Sequence, residues 1–415
     1  MHEQKFFAGI KILLIGDTHP EMIAIAKNLA YKGINFKLLL PTFFTVSESR
    51  GISHIRLGIS SLKPWLIKRT LDPGITSDLI LRPYAYLETL TWIFKRLGQD
   101  HISWKFAREY SKRVAKKLPK IIESFKPNIV ISYDTIKVPP SDKFKYIVIC
   151  PMSHPAAVKK SLLQSKELFP NWPELEDEIP LGINDTANFA DRIVLLSEFA
   201  KQTYTCQGFE ASKLEVIHVG PVNGNKDFRL PNYKKGSVLR ILFLGRMTRV
   251  KGVEALAELS HYLNPLNFKI SLVGQCSPII ARYIREISNG TVLTLFENPQ
   301  PKDISKHFAE SDIFALPSFN EGFNISSLEA MSYGLIPILS KNTGVSEILM
   351  NTSLADFIID PGSVEDLGKC IDYLFKLEQN DFNELAKISF NLAKDYSFDR
   401  FSEIFVEMMF KELSR

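Results

Sequence analysis

Two glutamates in the second half of the chain have a spacing that suits a phosphorylated ligand. Glu321 and Glu329 stand eight residues apart in the stretch "SFNEGFNISSLEAMSYGLIP". The stretch predicts a loop that contains Glu321, followed by a helix over about 325–333 that Gly334 ends. The first turn of such a helix offers free N–H groups and a partial positive charge, which suit a diphosphate.

Carboxylates on either side of a bound diphosphate could each accept hydrogen bonds from vicinal hydroxyls. A diphosphate with a hydroxylated ring at both ends is a nucleotide-sugar, so the pattern indicates that class of ligand. The alternative is structural. Glu321 would then be a charge at a helix N-terminus, and Glu329 a buried structural acid.

Two cations occur where a second strand is expected to end. Arg246 and Lys251 lie in "GRMTRVKG", directly after the apolar run "ILFL". Gly245 lets a ligand approach the backbone closely, and the two cations can converge on a polyphosphate. The alternative is that both are ordinary surface cations.

These residues need a framework that brings the ends of two strands together. Short apolar runs alternate with segments of helical period, which predicts parallel strands buried on both faces. The runs lie at 10–16, 35–41, 127–134, 145–151, 191–197 and 214–220, and then at 239–245, 268–274, 291–296, 312–318, 336–340 and 355–360. The expected fold is α/β, with two doubly wound, Rossmann-like domains whose ligands bind at the carboxyl ends of the strands.

The boundaries of the domains follow from length and composition. A chain of 415 residues exceeds one ordinary core, and the polar stretch 223–237 reads as a linker. We expect an N-terminal, acceptor-side domain over 1–222, a C-terminal domain over 223–394 and a final helix over 395–415. The first domain includes a mostly helical, basic insert at about 61–124, which is either a solvated surface or a contact with an anionic membrane.

Composition excludes several classes of protein. A net charge of +5 is too small to indicate nucleic-acid binding, and the four cysteines have no metal-ligand spacing. No signal peptide or membrane-spanning run is recognisable, so we expect a cytoplasmic protein, with peripheral contact at the inner membrane face as the alternative. The chain lacks G-x-G-x-x-G after either opening strand and has no Walker A sequence, which argues against a nicotinamide oxidoreductase and a P-loop NTPase.

The motifs together resemble one family. "GRMTRVKG", "DIFALPSFNEGFNISSLEAMSYGLIPIL" and "TGVSEIL" are similar, in order and approximate spacing, to segments of glycosyltransferase family 4, whose members are retaining enzymes of the GT-B fold. The resemblance covers about 185–415 well and the first half loosely. It implies two Rossmann-like domains facing a central cleft, and a C-terminal helix that crosses back to the N-terminal domain.

The resemblance also implies roles for residues of the C-terminal domain. Arg246 and Lys251 would bind the donor diphosphate, and Glu321 would contact hydroxyls of the transferred sugar. Glu329 would hold the nucleotide ribose. The following sites are implied as further donor contacts: the backbone at Gly245, Gly322, Phe323 and Asn324, and the side chain of Ser197. Gly344 and Glu347 match a glycine and a glutamate of the family.

In the first half the resemblance is weaker. His154 follows a strand in "ICPMSHPAAV", where the family often has a histidine beside the anomeric carbon; the alternative is a capping or surface histidine. The family's glycine pair after the first strand is absent, because the loop "GDTHPEM" contains only Gly16. Thr18 or His19 would replace those contacts with the donor. Thr343 stands where a later paired glycine is common.

The implied activity is that of a hexosyltransferase-type glycosyltransferase. It would move a sugar from a nucleoside-diphosphate sugar to a hydroxyl of a glycan, lipid-linked or small-molecule acceptor, in polysaccharide or glycoconjugate synthesis. Cations and a helix N-terminus would stabilise the departing diphosphate, so we expect no metal and no cofactor beyond the co-substrate. The alternatives are a non-catalytic nucleotide-sugar-binding protein and a GT-B epimerase or phosphorylase.

Overall fold

The computed structural model describes residues 9–16, 20–40, 71, 74–96, 100–173, 185–221, 224–225, 227–228, 230–231, 233–299 and 301–414. Within them the chain forms two sheets, and every strand pair is parallel. The predicted α/β class with two Rossmann-like units is therefore confirmed. We call the two sheets the first and the second sheet.

The first sheet has seven strands in the order β3-β2-β1-β4-β5-β6-β7. Its elements, numbered among the described residues, are β1 (Lys11–Ile15), α1 (Pro20–Tyr31), β2 (Asn35–Leu39), β3 (Ile80–Leu81), α2 (Ala85–Arg96), α3 (Asp100–Phe125), β4 (Ile129–Tyr133), β5 (Lys145–Cys150), α4 (Pro155–Leu168), β6 (Arg192–Leu195), α5 (Glu198–Thr205) and β7 (Leu214–Val216). Every residue of β4 is buried. Burial on both faces explains why these strands are continuous apolar runs in the sequence.

The second sheet has six strands in the order β10-β9-β8-β11-β12-β13. Its elements are β8 (Leu239–Leu244), α6 (Val253–Leu259), β9 (Phe268–Gly274), α7 (Pro278–Ile287), β10 (Leu293–Glu297), α8 (Pro301–Ala309), β11 (Ile313–Leu316), α9 (Ile325–Ser332), β12 (Ile336–Ser340), β13 (Ile358–Ile359), α10 (Val364–Lys376), α11 (Gln379–Lys394) and α12 (Phe398–Leu413). Because β8 and β11 are neighbours, the loops that follow them meet at one edge of the sheet.

Two short strands differ from the sequence prediction. The run at 355–360 was expected to be a strand, but it forms a 3-10 turn over Ala355–Phe357 and only then the two-residue strand β13. The strand β3 was not predicted at all. Two residues are too few to show an alternating pattern, so neither strand has a periodic signal in the sequence.

The last helix, α12, packs against α1 of the first sheet. Its N-cap is Ser397, whose hydroxyl accepts a hydrogen bond from the N–H of Arg400 at 3.1 Å. The backbone at the start of α12 packs directly against Gly220, where an added Cβ would lie 2.3 Å from the Ser397 Cα. Near the end of α12, the largely buried Glu412 carboxylate pairs with Arg192 of β6 at 2.6 Å.

Part of the predicted linker is anchored to the second sheet. Tyr233 is buried, and its N–H donates to Asp312 Oδ1 at 3.0 Å. Its hydroxyl donates to the carbonyl of Phe375 at 3.1 Å. These bonds fix this segment on the side of β11 and α10.

The described part of the basic insert consists mainly of the packed helices α2 and α3. Arg113 pairs with Glu109 at 2.6 Å, and Lys117 lies over the ring of Tyr84. Some of the basic groups are thus held by neighbours within the insert. Among the described residues, no helix is both long enough and apolar enough to cross a bilayer.

Candidate functional site

The loop after β11 leads into the predicted helix. That helix, α9, begins at Ile325, and Asn324 is its N-cap. The Asn324 Oδ1 accepts from the N–H of Ser327 at 2.8 Å and from its hydroxyl at 2.9 Å. The helix ends at Ser332, and Gly334 follows with a φ of +80°. The start of α9 agrees with the sequence prediction, and its end lies one residue earlier.

The backbone of Glu321 is fixed by the loop after β12. Its N–H donates to the carbonyl of Asn342, and its own carbonyl accepts from the N–H of Gly344, both at 2.9 Å. Thr343 lies opposite Glu321 in an isolated parallel bridge. The loops after β11 and β12 therefore form one unit that holds Glu321 buried.

The carboxylate of Glu321 forms an ion pair with the ammonium of Lys251. Lys251 lies in a single 3-10 turn after β8, and Gly252 follows it with a φ of +68°. An added Cβ at Gly252 would lie 2.2 Å from the carbonyl oxygen of Pro317, so only glycine fits between the two loops. The cation of one predicted motif and the acid of the other are thus in direct contact.

The surroundings of the Lys251 ammonium disfavour its positive charge. Burial, together with the nearby positive charge of Arg246, lowers the pKa of Lys251 to about 7. The Glu321 carboxylate opposes that shift, because it stabilises the ammonium. Arg246 itself is exposed. An anion at this point would gain the attraction of both cations.

Gly245 and Glu329 complete the predicted donor contacts on this sheet. The Gly245 N–H donates to the carbonyl of Val273 at 3.0 Å, and an added Cβ would meet only the Phe243 ring, at 3.7 Å. A ligand could therefore approach the Gly245 backbone from the side where a Cβ would stand. Glu329 lies on α9 and is partly exposed.

The loop after β11 touches the loop after β5 of the first sheet at Gly322. An added Cβ at this glycine would lie 2.3 Å from the carbonyl oxygen of Pro151, which follows β5. The Gly322 carbonyl accepts a hydrogen bond from the hydroxyl of Ser197 at 2.5 Å. That same hydroxyl caps α5 by accepting from the N–H of Ala200 at 3.0 Å. Ser197 thus connects the two halves of the molecule directly; its contact with phosphate or ribose stays a prediction.

Phe323 follows Gly322 in the same loop, and its side chain is buried. The predicted contact of its backbone with the donor stays a prediction.

His154 is the N-cap of α4. Its Nδ1 accepts from the N–H of Ala156 at 3.2 Å, and its ring lies edge-on to Tyr204 with 5.2 Å between centroids. Burial lowers the pKa of His154, which favours the neutral imidazole that can accept this bond. This is the capping arrangement that the sequence left open as the alternative, and the catalytic role stays a prediction.

The loop after β1 was predicted to contact the donor, and only part of it lies within the described residues. Gly16 directly follows β1, and its N–H donates to the carbonyl of Leu39 at 2.9 Å. An added Cβ at Gly16 would lie 2.7 Å from Leu40 Cδ2, so a larger residue here would require the Leu40 side chain to shift. Thr18 and His19 lie outside the described residues.

A second contact between the halves involves Glu347, whose partners the sequence did not reveal. Its carboxylate accepts from the N–H groups of Glu198 at 2.9 Å and Phe199 at 3.3 Å, at the start of α5. It also pairs with His218 Nε2 at 2.5 Å. A carboxylate at a helix N-terminus is favourable, but the helix and the glutamate are about 150 residues apart in sequence, so no local pattern could link them.

In the described part of the chain, no three His, Cys, Asp or Glu side chains are grouped so that they could hold a metal ion. Where the loops after β8 and β11 meet, the structure brings together the Lys251–Glu321 pair and the neighbouring Arg246. This arrangement can bind an anion and hydroxyl groups side by side.

The second half of the chain matches a known family. Residues 226–389 match the family model described as "Glycosyl transferases group 1". That range contains Arg246, Lys251, Glu321 and Glu329.

Curated relatives match over part of their length. A glycogen synthase of Thermodesulfovibrio yellowstonii is 25% identical over 170 residues, which is 40% of this chain and 34% of that protein. A D-inositol 3-phosphate glycosyltransferase of Paenarthrobacter aurescens is 21% identical over 211 residues, which is 47% of this chain and 51% of that protein. The chain thus spans between about a third and a half of the length of these relatives.

Solved structures match over nearly the whole chain. HepE of Anabaena, in complex with UDP and glucose, covers 97% of this chain and 100% of its own, with a TM-score of 0.58 and 13% identity. At this identity the likeness shows the fold alone. The predicted GT-B fold is confirmed.

Proposed function

We propose that the protein is a retaining glycosyltransferase that moves a sugar from a nucleoside-diphosphate sugar to a hydroxyl acceptor. The observation that carries the proposal is the largely buried Lys251–Glu321 ion pair with Arg246 beside it. The pair lies at the carboxyl edge of the second sheet, where ligands of doubly wound folds bind. HepE, the structural relative above, has also been solved with UDP-glucose, which supports a nucleotide-sugar donor for this chain.

Each group has a defined task in this proposal. Arg246 and Lys251 bind the diphosphate, together with the N-terminus of α9. Glu321 accepts hydrogen bonds from hydroxyls of the transferred sugar, and Glu329 accepts them from the ribose. The backbone from Gly322 to Asn324 approaches the sugar and the adjoining phosphate.

The reaction breaks the bond between the anomeric carbon and the diphosphate oxygen, and the acceptor oxygen bonds to the same face of that carbon. The acceptor's proton goes to the departing diphosphate oxygen, so atoms and charge balance. Negative charge grows on the diphosphate as the bond breaks, and the positive charges of Arg246 and Lys251 stabilise it. This arrangement supplies the stabilisation without a metal ion.

The acceptor belongs to the glycans, lipid-linked saccharides or small hydroxylated metabolites, and the product to polysaccharide or glycoconjugate synthesis. We place the activity in the cytoplasm. The alternative location is a peripheral contact of the basic insert with anionic lipid, through the exposed Lys112 and Lys116 of α3.

To test the proposal, the binding and transfer of several nucleotide-sugar donors are compared between the wild-type chain and a variant that lacks the exposed Arg246 side chain. UDP-glucose, GDP-mannose and ADP-glucose are titrated by calorimetry in the presence of EDTA, and transfer is followed as release of the nucleoside diphosphate. Arg246→Ala should weaken binding of the preferred donor about tenfold and slow transfer about 100-fold, because one charge that stabilises the leaving group is lost. Its folding should be nearly unchanged, because the side chain is exposed.

Arg282→Ala is the matched control, because Arg282 is an exposed arginine of the same half, on α7. It should leave both measurements unchanged. Equal transfer by Arg246→Ala and the control would contradict the assignment of Arg246. Donor binding without release of nucleoside diphosphate, with any acceptor tested, would instead indicate a non-catalytic binding protein.

A further inference from the structure

Glu347 belongs to a ring of contacts that joins the loop after β11 to the first half of the chain. It lies in the 3-10 turn that follows β12 and begins at Gly344. The N–H of Gly344 donates to the carbonyl of Glu321 at 2.9 Å, so the turn holds this loop directly. The carboxylate of Glu347 accepts from N–H groups at the start of α5. Ser197, the N-cap of α5, donates in turn to the carbonyl of Gly322, so the turn also holds the loop through α5.

The backbone groups of this ring are in close contact with one another. An added Cβ at Gly344 would lie 2.1 Å from the Gly322 carbonyl oxygen and 2.6 Å from the Ser197 hydroxyl oxygen. Because the first of these neighbours is a backbone atom, it could move away only if the loop itself moved. The position of the Gly322 carbonyl is therefore coupled to the positions of both Gly344 and Ser197.

The Glu347 carboxylate is held by groups of the first half of the chain. Its Oε2 accepts from the N–H of Glu198 at 2.9 Å and from that of Phe199 at 3.3 Å. Its Oε1 lies 2.5 Å from Nε2 of His218, in the segment after β7. The His218 ring packs on the ring of Phe323, with 5.6 Å between centroids. Phe323 belongs to the loop after β11, so His218 gives Glu347 a further connection to that loop.

The contacts of Glu347 differ from those of the charged pair in the candidate site. The Lys251 ammonium, which comes from the turn after β8, pairs with Glu321. The Glu347 carboxylate instead bonds to the start of α5 and to His218. Removal of the Glu347 carboxylate should therefore leave the cations of the second half in place and loosen the backbone of the loop after β11.

We propose that Glu347 is a positioning residue, which fixes the backbone of Glu321 and Gly322 by holding the start of α5. The consequence for transfer rests on the proposed function, in which Glu321 and this backbone contact the transferred sugar. Free UDP lacks that sugar and is bound through its diphosphate by the cations of the second half. Loss of the Glu347 carboxylate should therefore impair the binding and transfer of UDP-glucose but spare the binding of UDP.

The first experiment measures the protection of backbone amides and requires no activity. Hydrogen exchange with mass spectrometry compares the wild-type chain with Glu347→Leu, which has a similar volume but cannot accept a hydrogen bond. Peptides that contain the amides of Phe199 and Gly344 should exchange about tenfold faster in the variant, because their hydrogen bonds open more often. Unchanged exchange at Gly344 would show that the turn is held without Glu347 and would overturn the proposal.

The second experiment compares UDP with UDP-glucose, or the corresponding pair for the preferred donor. In Glu347→Leu, the affinity for UDP should stay within about twofold, whereas UDP-glucose should bind about fivefold more weakly and kcat should fall about tenfold. Glu365→Leu removes an exposed glutamate of α10 and is the control, which should leave all three values unchanged. An equal loss of both ligands in Glu347→Leu would indicate general damage to the second half and would overturn the proposal, as would an unchanged kcat.

Two further variants separate the reach of the side chain from its charge. Glu347→Gln keeps an acceptor oxygen at the same reach, so its kcat should lie within about threefold of the wild-type value. Glu347→Asp keeps the charge but is shorter by one methylene group, so it should resemble Glu347→Leu. It also replaces Glu347→Leu in both experiments if that variant fails to fold, as judged by circular dichroism. An active Asp variant beside an inactive Gln variant would show that the charge itself acts and would contradict a positioning role.

The route through α5 is tested by a double-mutant cycle with Ser197→Ala. If Glu347 acts through Ser197, the double variant should have about the same kcat as the more impaired single variant. Losses that multiply would contradict this route. If the wild-type chain binds no nucleotide-sugar, the proposed function fails, and the exchange experiment then decides by itself whether Glu347 positions the loop.

Discussion

The loop after β5 and the loop after β11 have the same construction but different chemistry. Each follows a buried parallel strand and ends at a side chain that caps the next helix, His154 for α4 and Asn324 for α9. The two loops touch where Gly322 meets Pro151. The loop after β11 carries the ion-paired Glu321, whereas His154 is neutral at its cap and packed against aromatic rings.

The difference suggests a division of tasks between the two halves. In the proposed function, the second sheet supplies fixed charge for the donor, and the first sheet supplies shape and contacts for the acceptor. Burial is tolerable for Glu321 because Lys251 pairs with it. Variants of Lys251 and of His154 test whether charge in the second sheet and shape in the first is the correct division.

The largest effect is expected from removing the largely buried cation Lys251. Lys251→Ala leaves the Glu321 carboxylate buried without its partner, which should lower the free energy of unfolding by about 3 kcal/mol. Transfer should fall by about 100-fold or more, because a charge that stabilises the departing diphosphate is lost. Urea unfolding and release of nucleoside diphosphate measure the two effects.

The double variant Lys251→Ala/Glu321→Gln separates folding from chemistry. A neutral glutamine does not need the ammonium, so most of the lost stability should return while transfer stays low. Normal transfer in the double variant would show that fixed charge at this edge is not required, and the division of tasks would be wrong.

A smaller effect concerns pH. The pKa of Lys251 is lowered to about 7, so the side chain is charged below that pH and loses its proton as the pH rises through it. At pH 8 about one tenth would carry the charge, and the Kd for UDP-glucose should rise by up to about tenfold relative to pH 6. Calorimetry at the two pH values measures this change, and UDP-glucose is suitable because its diphosphate does not titrate between them.

Lys251→Arg provides the control for the pH experiment, because arginine stays charged throughout this range. Its affinity for UDP-glucose should be nearly independent of pH. If the wild-type affinity were equally flat, Lys251 would be either permanently charged or not in contact with the diphosphate.

The sequence predicted the regular elements well because each carries its own local signal. The strand β11 is a buried apolar run, and α9 begins at a capping asparagine and is followed by a glycine with positive φ. Repeated spacing and cap residues act over a few positions, so they can be read without the fold. Each half was therefore recognisable as a doubly wound unit.

The partners within the site could not be read in this way. Lys251 and Glu321 are 70 residues apart, and which of the predicted cations would pair with which acid depends on the order of the strands. The hydrogen bond from the Asn320 amide to the Ser161 hydroxyl depends on how α4 lies against the loop after β11. Such contacts are set by tertiary packing, for which a single sequence has no periodic signal.

The smallest effect is expected at His154, and it tests the other side of the comparison. His154→Ala removes the acceptor for the Ala156 N–H, so the free energy of unfolding should fall by about 1 kcal/mol. His154→Asn keeps a side-chain acceptor at the cap and should retain most of that stability. If the first sheet supplies shape rather than reacting groups, both variants should transfer sugar within a few-fold of the wild-type rate. A large loss of transfer in the stable Asn variant would instead assign His154 to the chemistry and end the division between the two loops.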